Sequence, residues 1–567
     1  LFRLPADLEP GEYEVFLHNN SGGPFGFTRP LPLTVTVDPE FPERLFVATE
    51  NGVKGDSLTD NREALQAIID RAGEAGGGIV FLPPGAYRVD DTVQLREHVV
   101  LRGAGRDATT LFFGGVAHEK KRCSWFLSAR GVHHTGIEDL TVRVSYPMQY
   151  AVSYYAGGDP TFDTHLRRCR FVGGTVGIHY NVNMEVAHCS FEGGTFFAHN
   201  LKQSWVHDNQ FTTGRLQGNP VGLWSTENCT IEHNRAYNSN RGFVWQAHGY
   251  FGHYHNLIDA NVVEDARFGA NAGETYLFEG AGFQWFGQPA EIHPNRFSAD
   301  GADWKPDALK YCFAVVTAGR GLGQYRRIVS NTASEVTLAE PWTVLPCGDV
   351  RISILRGVVE NAICNNRHID CDNSMMFYGS GMLNNRIVRN RSENSLGISI
   401  WSLAEAEKDV LVPDYFNVFD GNVCEDQGGI WLTRLGDLKQ DVGVRNLNNV
   451  FRNGLLADVR RKRENQYNNV WEETRNGSYR PVQAAFWCDI GRSYHADPTQ
   501  NPIWNDTLIE HNYITRCDRG VELHKISGGT VVRSNTFFEV KQPIIDEGVG
   551  SDVVDNRFEP DGATRPE

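Results

Sequence analysis

The stretch GANAGETYLFEG, residues 269–280, carries two carboxylates, Glu274 and Glu279, around four residues suited to a β-strand. Carboxyl groups cleave glycosidic bonds in pairs, one as acid and the other as nucleophile or base. Strand side chains alternate between faces, so two residues five positions apart point in opposite directions and stand about 17 Å apart when extended. Each therefore needs a partner from another strand. Asp458, Asp489 and Asp437 are the other acidic candidates. A second chemistry, β-elimination from a uronic acid, needs a base at a carbon-bound proton and cations or calcium against the substrate carboxylate. His248, Tyr378, Arg434, His524 and Lys525 suit that requirement, while Gln246, Trp401 and Trp431 offer hydrogen bonding and ring stacking.

The chain that must position these groups has 567 residues, enough for several domains or one long repeat domain. Hydrophobic residues make up 40% and aromatic residues 11%, as in a folded chain, and no apolar run reaches the roughly 18 residues of a membrane span. A formal charge of −16 argues against a nucleic-acid partner and favours a largely neutral glycan over a polyanion. The chain opens at Leu1 and runs straight into strand alternation, as when an upstream segment has been removed. The expectation is a secreted protein, extracellular or periplasmic. Eleven cysteines without CxxC spacing argue against a zinc site and a disulfide scaffold; Cys312 and Cys347 either bridge or stay unpaired.

Two alternating runs within residues 1–38 read as a small, truncated β-sandwich, followed by the Pro-bearing linker DPEFPER. Leu65, Ile68, Ile69 and Ala72 then recur at helical spacing, with Asp60 and Glu63 placed for a capping box and Gly76–Gly78 as a stop. Beyond it one short pattern repeats: VHDNQF, IEHNRA, LIDANVV, ICNNRH, IVRNRS, LNNVF, YNNVW, IEHNYI, VRSNTF and VVDNRF. Its asparagines are Asn209, Asn234, Asn261, Asn366, Asn390, Asn449, Asn469, Asn512, Asn535 and Asn556, with Asn422 a weaker member. Spacings of 25, 23 and 21 residues between neighbours suit one turn of a β-solenoid, each amide bonding the turns above and below and tolerating left-handed backbone. Between the corners, GIHY, GFVW, GISIW, GGIWL, GVELH, GLLAD and AAFWCD read as strands with one face inside. The pattern lapses between Asn261 and Asn366, where alternating strands such as CFAVVTAGRGLGQYRRIVS mark an inserted β subdomain at 284–356.

The run KGDSLTDNREALQAIIDRAGEAGGGIVFLPPGAYRV, followed by VVLRGAG, resembles the N-terminal signature of the pectate-lyase-like superfamily: polygalacturonase-like hydrolases, polysaccharide lyases, epimerases and phage tailspikes. The resemblance implies an all-β fold, a right-handed parallel β-helix over residues 45–560 with an N-terminal capping helix. The chain has no Asn-Thr-Asp with a following Asp-Asp pair, as polygalacturonases carry, and no Arg-Ile-Lys tripeptide, so the family's chemistry does not transfer with its fold.

Placing Leu277 inward beside Trp245, Ile400, Leu432 and Leu523 turns Tyr276, Phe278 and Glu274 outward, with Glu279 at the strand's exit. The same register turns Gln246, Tyr378, Trp401, Thr433, Asp458, Asp489 and His524 outward on successive turns. Asp458 and Asp489 then lie about 5 Å apart, as in a retaining carboxylate pair, or they pair with Arg460 and Arg492. This reading favours a glycoside hydrolase acting on a polysaccharide or oligosaccharide in the groove. A polysaccharide lyase and a non-catalytic, tailspike-like glycan-binding protein are the alternatives. No cofactor is required by hydrolysis, calcium enters only with elimination, and neither nucleic acid nor membrane is a partner. A monomer and a homo-oligomer, such as the trimers of similar folds, are both compatible with the chain.

Overall fold

The repeated corner winds the chain into one solenoid. The computed structural model describes residues 8–16, 30–35, 43–114, 125–144, 150–155, 160–213, 219–247, 249–266, 274–371, 373–405, 410–426, 428–435, 443–459, 484–488 and 504–559. Strands of successive turns pair in parallel, so that Phe243–Gln246 lies beside Glu274–Glu279, then Asn373–Tyr378, Ile398–Glu405 and Ile430–Leu435. Three further stacks complete each turn: His253–Tyr254 beside Val358–Val359, Leu257–Asp259 beside Ala362–Cys364, and Val262–Ala266 beside Arg367–Ile369. Residues one rung apart share an environment, and aromatic side chains therefore stack inside. Trp245, Phe278 and Phe377 form one column with ring centroids 4.6 and 4.9 Å apart, and Phe171, Phe191 and Phe211 another at 5.1 and 4.8 Å.

The asparagines form two ladders, not one. Asn209, Asn234, Asn261, Asn366, Asn390 and Asn422 follow one corner, each amide oxygen accepting from the backbone N–H and side-chain NH2 of the asparagine one rung below. Asn256, Asn361, Asn385, Asn417 and Asn449 follow a second corner in the same way. Asn449 thus belongs to the second ladder, and Asn469 lies outside the described residues. The left-handed residue is also the one before the amide: Asp208, His233, Ala260, Asn365 and Arg389 have φ between 52° and 55°. The turn supplies the sharp bend, and the following asparagine satisfies the exposed polar backbone within it.

One helix, Arg62–Glu74, lays Leu65, Ile68, Ile69 and Ala72 over the first strands. The expected Asp60–Glu63 capping box does not form. Asn61 is the N-cap residue, and its side chain instead holds the Lys54 backbone, while Asp60 accepts from the Arg62 N–H at 3.1 Å. Gly78 ends the connection with φ 149°, and a Cβ there would lie 2.5 Å from the Arg44 carbonyl oxygen. In the N-terminal segment, Gly11–Val15 and Leu31–Val35 pair antiparallel.

Between Trp285 and Leu355 the chain builds a seven-stranded antiparallel sheet with its own core around Phe297, Val316, Ile328, Val336 and Ile352. The insert is firmly docked. Phe313, Val315 and Leu355 pack with Val359, Leu383, Val412 and Tyr415 of the turns, and Arg327 meets the buried Glu227 carboxylate through both terminal nitrogens at 2.9 and 2.8 Å. Cys312 and Cys347 are both free thiols, one buried and one exposed, so the expected alternative of a bridge is not realised.

Candidate active-site groove

The first stack of strands turns one face away from the core, and register pairing defines two parallel rows along it. One row runs His179, His199, Trp224, Gln246, Glu279, Tyr378, Trp401 and Thr433. Beside it run Phe197, Gly222, Val244, Leu277, Met376, Ser399, Trp431, Trp487 and Glu522. The expected register at Glu274–Glu279 is one residue out: Phe278, not Leu277, pairs with Trp245. Tyr276 and Phe278 are sealed in the core, and Leu277 takes the outward position. Aromatic packing overrides the Gly-apolar pattern, because Phe278 completes the Trp245–Phe377 stack.

Glu279 is half-buried and accepts a hydrogen bond from the Gln246 amide at 2.8 Å. Tyr378, 37% exposed, packs 5.7 Å from Trp401, whose ring meets Trp431 at 4.7 Å; Trp431 stacks on Trp487 at 5.4 Å. The four rings make a continuous aromatic floor over four rungs. The indole nitrogens of Trp401 and Trp431 are buried without a hydrogen-bond partner among the described residues. Thr433 lies in the row but is fully buried.

The expected acidic pair does not assemble. Asp458 follows Leu455–Ala457, which pairs with Val423–Asp426 and Tyr513–Leu523 in a different stack from the groove strands. Its carboxylate is held by Arg516, with the guanidinium Nε at 2.9 and 3.0 Å. Ala484–Cys488 belongs to the same turn as Asp458 and pairs with Ile430–Leu435 in the groove stack, so Asp458 and the segment leading to Asp489 occupy different faces of one turn rather than adjacent rungs. Asp489, Asp437 and His248 lie outside the described residues. The backbones of Glu274 and Arg434 pair with Asn373 and Ser402, and their side chains lie outside the described portion. His524 stands at the far end of the groove, engaged by Glu522 at 3.0 Å and Glu547 at 3.4 Å.

The residues that sequence reasoning missed lie in the earlier turns. His179 and His199 occupy consecutive rungs with ring centroids 6.0 Å apart, flanked by Phe197 and by Trp224, 5.6 Å from His199. Both are half-buried. Burial, and then the neighbouring His199, holds His179 down at about 4, and burial lowers His199 as well. Both imidazoles therefore favour the neutral form at neutral pH. The strand motif GIHY contained the signal, since its third residue takes the outward position.

Residues 46–121 match the family model described as rhamnogalacturonase A/epimerase, pectate lyase-like. The chain is 39% identical over 100 residues to alginate lyase 7 of Azotobacter vinelandii and 48% identical over 67 residues to mannuronan C5-epimerase AlgE6 of the same organism. Those segments cover 16% and 11% of the chain but only 12% and 8% of the two relatives. The catalytic unit of a thermostable GH87 alpha-1,3-glucanase from Streptomyces thermodiastaticus is similar over 75% of this chain and 66% of that one, at 13% identity and a TM-score of 0.43.

Proposed function

We propose that the chain, whose residues 46–121 match a pectate-lyase-like family model, is a carbohydrate-active enzyme that lays a polysaccharide along the groove and abstracts a carbon-bound proton from a uronate unit over His179 and His199. The observation that carries this reading is the pair of half-buried imidazoles on consecutive rungs, in one row with Trp224, Gln246, Glu279 and the aromatic floor. Elimination and epimerisation both begin by removing a proton next to a carboxylate. A general base must come within hydrogen-bond reach of that proton. A uronate brought against the histidines opposes the desolvation that depresses them, so substrate itself raises their basicity.

Hydrolysis has weaker support in the described geometry. Among the described residues, Glu279 and Glu522 are the carboxylates of the two rows, and they stand five rungs apart. At about 4.8 Å per rung that is roughly 24 Å, well beyond the separation of about 5–9.5 Å at which two carboxyls share one glycosidic bond. The names of the alginate lyase and the mannuronan epimerase also point to uronate polymers. The place of action under this reading is outside the cytoplasm, where such polymers are met.

The test is to incubate the whole chain with polymannuronate, alginate and neutral glucans. Three signals are followed: ultraviolet absorbance of an unsaturated product, inversion at C5 by NMR, and new reducing ends. The expected result is an unsaturated or C5-inverted product from the uronate polymers alone. His179→Gln and His199→Gln are each expected to lower turnover about 100-fold or more. Reducing ends released from a neutral glucan without either signal would replace this reading with hydrolysis.

A further inference from the structure

A second cluster of chemistry-bearing side chains lies on a different strand stack from the groove. We infer that His188, His207 and Asp208 form a binding site for a divalent transition-metal ion of the Zn2+ type, shared between two successive turns of the solenoid. His188 closes one corner, and His207 and Asp208 close the corner one rung on, where the His188 N–H donates to the His207 carbonyl at 3.3 Å. One ligand atom from each of the three lies within 4.8 Å of the others. A tetrahedral site with bonds near 2.1 Å wants these atoms about 3.4 Å apart. His188 and Asp208 are exposed, so their side chains can close that difference without disturbing the core.

The hydrogen bonding of His207 supplies an independent argument. Its Nε2 lies 3.3 Å from Glu185 Oε1 and its Nδ1 lies 2.8 Å from Asp208 Oδ2. A neutral imidazole carries one N–H. When that hydrogen goes to Glu185, the Nδ1 lone pair faces a carboxylate, and a cation between them turns a repulsion into two bonds. Metal-bound histidines habitually donate their other ring N–H to a carboxylate. Glu185 occupies that place and is itself fixed by Arg167 Nε at 2.7 Å. Trp205 stacks on His207 at 3.7 Å and fixes its ring plane. The imidazole of His188 has no hydrogen-bond partner among the described residues and meets His207 edge-on at 5.5 Å. Two imidazoles and one carboxylate suit Zn2+, Co2+ or Ni2+ better than the all-oxygen preferences of Ca2+ and Mg2+, and the solvent side leaves a coordination position for water.

The experiment uses the full chain, stripped with a chelator and titrated calorimetrically with Zn2+, with Co2+ followed in parallel by its visible absorption. One Zn2+ per chain, a higher melting temperature and a Co2+ spectrum of low-coordinate nitrogen–oxygen ligation are expected. His188→Asn and Asp208→Asn are chosen because both positions have φ 54°, which asparagine tolerates. Each should abolish binding, and His188→Asn should do so with the metal-free melting temperature unchanged. Glu185→Gln should keep the stoichiometry and weaken affinity about 10–100-fold. Failure of the parent chain to bind Zn2+, or equal binding by folded His188→Asn and Asp208→Asn, would overturn the site and leave His207 as a doubly hydrogen-bonded imidazolium.

Discussion

Asp414 stands at an inner corner, 2% exposed, with one carboxyl oxygen accepting from the Met382 N–H at 2.8 Å. Burial pushes its carboxyl up to about 7 from an ordinary 3.8, against the opposing effect of hydrogen bonds from the Met382 N–H and the Ser402 hydroxyl. The protonated form is therefore favoured by folding. Its stabilising contribution is complete below the unfolded value and is lost as pH rises through the folded value of about 7. Asp414→Asn keeps an acceptor for Met382 and cannot ionise. The melting temperature of the variant minus that of the parent should be larger at pH 8 than at pH 5, as read by calorimetry at both; an equal difference would mean that Asp414 is solvated. Individual residues were the hardest scale to read from sequence. Asp458 and Asp489 follow similar apolar strands, but the turn carrying them runs 58 residues from Gly454 to Asn512, against 23 from Asn512 to Asn535, so counting rungs across it failed. Glu279 was legible as an outward carboxylate at a strand exit, whereas its partner Gln246 was recognisable only as a member of the same row.

At the scale of elements, the amide ladders determine how turns stack. Asn390 Oδ1 accepts from the N–H and the side-chain NH2 of Asn366 at 3.0 and 2.9 Å, and its own NH2 donates to the Ile363 carbonyl at 2.8 Å and to Asn422 at 3.1 Å. Asn390→Ala strands several buried groups at once, each costing about 1–3 kcal/mol. Chemical denaturation should show a loss of at least about 2 kcal/mol; a loss within the error of the measurement would show that water replaces the amide. Repetition made this element legible in the sequence. The division into two ladders was not legible, because both corners solve the same problem with the same side chain and only the pairing of Asn417 with Asn449 separates them. The Gly-apolar motif likewise identified strands but left their register open, and at Phe278 stacking of rings across rungs decided it.

For the whole molecule, the insert is a structural member of the solenoid. It leaves the turn after Glu279 and returns where the Arg356 and Gly357 N–H groups both reach the Ala281 carbonyl at 2.9 Å, so its ends are adjacent and it can be excised on paper. Excising residues 284–356 would nevertheless expose Val359, Leu383, Val412 and Tyr415 and take Arg327 from the Glu227 carboxylate, leaving it only Lys202 at 3.5 Å. The shortened chain should aggregate or unfold at markedly lower denaturant, measured by light scattering and circular dichroism; a monomer with an unchanged midpoint would show the insert to be an appendage. Its existence was legible as a lapse in the repeat, while its grip on the coils was not, since contacts between residues about 100 positions apart leave no local pattern. That grip bears on recognition. Because the insert clamps consecutive coils together like a splint, the intervals between side chains along the neighbouring row are held fixed, and under the proposed function a polymer would have to match that ruler.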